Sequence, residues 1–95
     1  MLNMVTLVGR INKIHNITLN TIQLKVPRNH KNPDTNLYDD DLITITLTEN
    51  IYANLKDYCK ENDLVGIKGH IEATPLEIKI IADKVTFLST NTQNN

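Results

Sequence analysis

Residues 42–73 read LITITLTENIYANLKDYCKENDLVGIKGHIEA, and the order of patterns inside this stretch decides the fold. Leu42 to Thr48 alternates, with Ile43, Ile45 and Leu47 on one side and Thr44, Thr46 and Thr48 on the other, the period of a half-buried strand. From Ile51 to Cys59 the period becomes helical: Ile51, Leu55 and Tyr58 fall at i, i+4 and i+7 on one apolar stripe. Asn50 is placed to cap the start of this helix and Asn62 to close its far end. Leu64 to Ala73 returns to alternation, with Val65, Ile67 and Ile71 in phase and Gly66 and Gly69 where the chain can approach a neighbour or bend. The stretch predicts strand, short helix, strand.

Upstream, Met4 to Lys13 sets Val5, Leu7, Gly9 and Ile11 against Thr6, Arg10 and Asn12, a strand with one apolar face. Met4 and Val8 add apolar character to its second face, as an oligomer interface would require. Thr21 to Val26 repeats the pattern, with Ile22, Leu24 and Val26 inward and Gln23 and Lys25 outward. Asn16 and Asn20 suit the turn between these strands. Pro27 to Asp41, PRNHKNPDTNLYDDD, is polar, carries two prolines and reads as an unusually long loop, a length often tied to function. Downstream, Thr74-Pro75 predicts a tight reversal into a last strand. There Leu76, Ile78 and Ile80 share one phase while Ile81, Val85 and Phe87 take the other, which implies a bulge or bend. Residues 1–89 thus form one domain, and the polar tail 90–95 is expected to be disordered. Three strands, a helix and two strands predict an all-β, five-stranded Greek-key OB-fold barrel with its short helix between strands 3 and 4.

Size and charge narrow the function. A chain of 95 residues has room for this barrel and no separate catalytic layer. No serine–histidine–acid pattern or Walker motif is present, so no enzyme activity is expected. No metal or other cofactor is expected either. Asp34 to Asp39 opens like a calcium loop, but its sixth position is not glycine and its twelfth is Ile45, while His15, His30, His70 and Cys59 lack zinc spacing. A single cysteine, no secretory leader and no long apolar run predict a cytoplasmic protein without membrane contact. The net charge of −1 conceals an asymmetry. Arg10, Lys13, Lys25, Arg28 and Lys31 fall in residues 1–33, which contain no acid, and Asp34, Asp39, Asp40 and Asp41 follow. Such a distribution can place a positive stripe on a nearly neutral protein.

Several of these segments resemble the bacterial single-stranded DNA-binding protein family. Asn3-Met4-Val5-Thr6-Leu7-Val8-Gly9-Arg10-Ile11 is similar to its opening strand, Asp41-Leu42-Ile43-Thr44-Ile45 to its third, and Asp63 to Ile71 to its fourth. A helix with Ala53, Asn54 and Leu55 follows the third strand at the expected distance, and Ala82 to Ser89 resembles the closing strand. The likeness spans residues 2–89. It implies single-stranded DNA binding (RNA is the open alternative) in replication, repair or recombination, a homodimer or homotetramer joined partly through the first strand, and replication proteins as partners. The chain departs from the family where stacking aromatics are usual: Thr48 and the end of the fourth strand carry none, and tryptophan is absent. Glu72 replaces a basic residue, a bare turn replaces the long arm between the last strands, and the closing residues STNTQNN do not resemble the family's acidic partner-recruiting tail, which is therefore not expected here.

Each base stacked is worth about 1–3 kcal/mol, so these departures shift the burden of binding to charge. Arg10, Lys13 and Lys25 are expected on the outward face of the first strands, with Arg28, His30 and Lys31 in the long loop. Tyr38 is the remaining stacking candidate, or else a loop anchor. Tyr52, Tyr58 and Phe87 read as packing groups. Thr44, Thr46 and Thr48 can hydrogen-bond phosphates or bases, although threonine is also an ordinary strand residue. The alternative is an OB-fold protein-interaction or oligomerisation module, primosome-like, with little or no nucleic-acid binding.

Overall fold

In the computed structural model, which describes residues 1–14 and 20–89, five strands close into a barrel and one helix packs against it. The elements are β1 (Val5–Ile14), β2 (Thr21–Lys31), β3 (Tyr38–Thr46), α1 (Glu49–Tyr58), β4 (Leu64–Ala73) and β5 (Ile78–Ser89). Their lateral order is β1-β2-β3-β5-β4, closed by β4 against β1. Every contact is antiparallel except β3 with β5, which run parallel through Ile45↔Ile80 and Thr46↔Ile81. This is the expected five-stranded OB-fold, with the helix between β3 and β4. Asn16 and the tail 90–95 lie outside the described residues.

The alternating apolar residues supply the core. Ile11, Ile22, Leu24, Ile45, Val65 and Ile67 are fully enclosed, and Leu55 of α1 closes the barrel's lower end. Burial, helped by the charge of Asp63, pushes the Cys59 thiol up to about 11, so this thiol packs and does not react. Gly9 and Gly69 sit where strands cross closely. A Cβ on Gly9 would meet the carbonyl of Lys25, and one on Gly69 the carbonyl of Ile81. Among the described residues, the left-handed backbone positions outside glycine are all asparagines in turns: Asn20, Asn36 and Asn62.

Four expectations need correction. Pro27 to Asp41 is no long loop: β2 runs on to Lys31 and β3 begins at Tyr38, so most of it is a projecting hairpin. Its tip is tied locally, with the Asn36 amide donating to the Asn32 carbonyl at 2.8 Å and the Asp34 amide to Asn32 Oδ1 at 2.8 Å. Pro27 is tolerated where the register slips before Lys31, and Pro33 lies beyond β2 in the turn at the tip. The helix N-cap is Thr48, not Asn50, its hydroxyl accepting the Ile51 amide at 3.3 Å. The C-cap is Cys59, and Asn62 lies beyond it in the turn to β4. Finally, the buried helix stripe is Tyr52, Leu55 and Cys59, whereas Tyr58 is exposed. Both stripes contain Leu55 at helical spacing, so periodicity alone did not choose between them.

The phase change in β5 is a bulge. Lys68 pairs with Lys84 but Gly69 with Ala82, leaving Asp83 as the extra residue. The reversal before β5 is tight, closed by the Thr74 amide on the Glu77 carbonyl at 2.8 Å and capped by the Thr74 hydroxyl.

Candidate nucleic-acid interface

Strand register gathers most of the expected site onto the outer face of β1, β2 and β3. Arg10 pairs with Lys25 and Lys25 with Leu42, so two cations and a leucine form one row across three strands. The next row is Lys13, Gln23 and Thr44, and Thr21 with Thr46 follows. Arg10 and Lys13 are three residues apart and would face opposite ways in a regular strand. They share a face because Asn12 is bulged between Ile11 and Lys13; its amide donates to Gln23 Oε1 at 2.6 Å. At the projecting end of the hairpin Lys31 pairs with Tyr38, its ammonium 5.8 Å from the ring centroid, a cation–π distance. Tyr38 is 55% exposed, which leaves ring surface open beside that cation.

Acids of β3 temper this face. Lys25 Nζ lies 3.8 Å from Asp40. Arg28 stands on the opposite side of the hairpin, where its guanidinium donates twice to Asp41 Oδ1, at 3.0 and 3.1 Å. That bond and the charge of Asp41 raise the Arg28 pKa further, so the guanidinium stays charged. Arg28 instead lines a cleft of about 920 Å³ between the hairpin and the start of β1, with Val8, Val26, His30, Asp39 and Asp41 among its walls. Arg10 donates to the Asn62 carbonyl at 2.9 Å, which holds its guanidinium toward the turn after α1 without neutralising it.

The structure therefore brings together Arg10, Lys13, Lys25, Lys31, Tyr38, Thr44 and Thr46. It turns Arg28 to the cleft side, where Lys31 is also among the walls, and it gives the Thr48 hydroxyl to the helix cap, outside β3. Leu42, an exposed apolar residue, was not anticipated as a member of this face, whereas exposed Val8 lies on the second face of β1, where apolar character was expected. The signal for Leu42 was present in the phase of the threonine row, which it shares. Tyr58 and Phe87, expected to pack inward, are 68% and 43% exposed and lie beside each other with ring centroids 6.3 Å apart.

No protein-family model and no curated protein matches the sequence. Solved structures do. A mitochondrial single-stranded DNA-binding protein of S. cerevisiae superposes with a TM-score of 0.77 at 13% identity, over 96% of this chain and 99% of that one. A Plasmodium falciparum single-stranded DNA-binding protein in complex with single-stranded DNA gives 0.71 at 20% identity, over 94% and 97%. A small single-stranded DNA-binding protein of Streptomyces coelicolor gives 0.60 at 14% identity, over 92% and 94%. At such identities the likeness is one of fold, and it extends over nearly the full length of every chain compared. The chain has the OB-fold seen in these single-stranded DNA-binding proteins, with which it shares at most a fifth of its sequence.

Proposed function

We propose that this chain binds single-stranded DNA across the outer face of β1, β2 and β3, and serves in replication, repair or recombination as a non-catalytic protein. The observation that carries the reading is the cross-strand row of Arg10 and Lys25, extended by Lys13 on one side and by the Lys31–Tyr38 pair on the other. The cations hold phosphates, Tyr38 stacks a base, and Thr44 and Thr46 offer hydroxyls between them. A homodimer or homotetramer in the cytoplasm fits this role, because several weak faces on one strand gain by avidity.

The test is fluorescence anisotropy of an oligothymidine of about 30 nucleotides, long enough to exceed the 4–16 nucleotides held per OB-fold. Three or four phosphate contacts predict a log–log salt slope of roughly −2 to −3. Reversing Lys25 to glutamate should weaken binding and flatten that slope. No binding at low salt would remove the proposal. The second reading, a protein-interaction module, is favoured by Val8 and Leu42, which interrupt the cationic face with exposed apolar side chains.

A further inference from the structure

The Tyr58–Phe87 pair has no part in the core. Its rings are tilted by 42° to each other, and they wall a cleft of about 290 Å³ together with Ile51, Val85 and Asn54. That volume is at the small end for ligand sites, with room for one flat ring system and little more. Exposed aromatic rings provide the stacking, and Asn54, whose amide carries both donors and an acceptor, is among the walls.

The register links this cleft to the cationic face. Lys25, Arg10, Leu64 and Ser89 are successive partners across β2, β1, β4 and β5, three strand spacings or about 14 Å in all. Phe87, two residues before Ser89, pairs with Val65. The Arg10 guanidinium is held toward the turn that follows α1, the helix that ends at Tyr58. Phe87 shares the face of buried Val65, opposite to that of Arg10 and Leu64, so a strand lying on Lys25 and Arg10 reaches the aromatic pair by crossing β4 and turning over the barrel end that α1 covers.

We infer that the cleft between α1 and β5 is a second stacking site, which takes one unpaired base of the same single strand on the exposed rings of Tyr58 and Phe87. The inference rests on the single-strand reading above and deepens it. It adds a stacking position at the barrel end closed by α1 to the one that Tyr38 offers on the outer strand surface.

Two measurements test it. An oligothymidine substituted with 5-iodouracil is photo-cross-linked to the unaltered protein and the adducts are mapped by mass spectrometry; an adduct on Tyr58 or Phe87 is expected. In anisotropy, Tyr58→Ala should raise Kd about 5- to 100-fold, while Tyr58→Phe, which keeps the ring, should stay within about twofold. Adducts confined to Tyr38, with unchanged affinity in Tyr58→Ala, would overturn the inference and leave the single-strand reading intact. Failure of the unaltered protein to bind any oligonucleotide would overturn both. The cross-linking arm needs no variant, so it decides the matter even where Tyr58→Ala does not fold.

Discussion

His70 shows how much a single side chain can tie together. Its Nδ1 lies 3.0 Å from Asp83 and its Nε2 2.9 Å from Glu72, so the imidazolium can donate to a carboxylate on each side. Asp83 can reach it because it is the extra residue of the β5 bulge. The bond to Asp83, then that to Glu72, raises the His70 pKa above its ordinary 6.5. A group whose pKa rises on folding stabilises the protein fully below its unfolded value, and that contribution fades as pH climbs through the folded value. The melting temperature should therefore fall between pH 6 and pH 9, and His70→Gln should flatten that part of the profile. An identical profile in the variant would mean that solvent screens both pairs at this exposed site.

At the scale of elements, Thr48 separates a structural duty from a binding one. As the N-cap of α1 it satisfies the Ile51 amide, and Thr48→Ala should cost about 1 kcal/mol in urea unfolding. Oligonucleotide affinity and salt slope should not change; a loss of affinity at unchanged stability would place Thr48 back in the interface. The strands and the helix position were legible because Ile43 and Ile45, or Val65 and Ile67, alternate so regularly that only one face can be buried. The hairpin from Pro27 to Asp41 was not legible. Polar residues and prolines look alike in a loop and in a two-stranded ribbon that projects beyond the core, where no burial imposes a period. The site was half legible for a related reason. Sequence marks Arg10, Lys13 and Lys25 as outward, but the bulge at Asn12 that aligns Lys13 with Arg10, and the pairing of Arg28 with Asp41, depend on register between strands. Tyr58 and Tyr52 differ in burial only through the rotation of α1, which the neighbouring strands fix.

For the molecule as a whole, near-neutrality is built by interleaving: Lys25 and Arg28 of β2 are answered by Asp40 and Asp41 on β3. Removing one acid is thus a cleaner probe of the face than removing a cation. Asp40→Asn frees Lys25, and it should tighten oligothymidine binding and steepen the salt slope by roughly 0.7, the share of one added phosphate contact. Unchanged binding would show that Lys25 already exchanges its weak partner for phosphate. The closing of the barrel has a further consequence. β1 leans on β2 from Arg10 onward and on β4 before it, and the pairs from Val5 with Gly69 to Arg10 with Leu64 join residues more than half the chain apart. The pairs β1–β2, β2–β3 and β4–β5 zip through neighbours in sequence, but the seams of β1 with β4 and of β3 with β5 must be found by a search over intervening segments. Such non-local topologies acquire their native state in milliseconds to seconds, so the kinetics of this small protein should be governed by those late encounters.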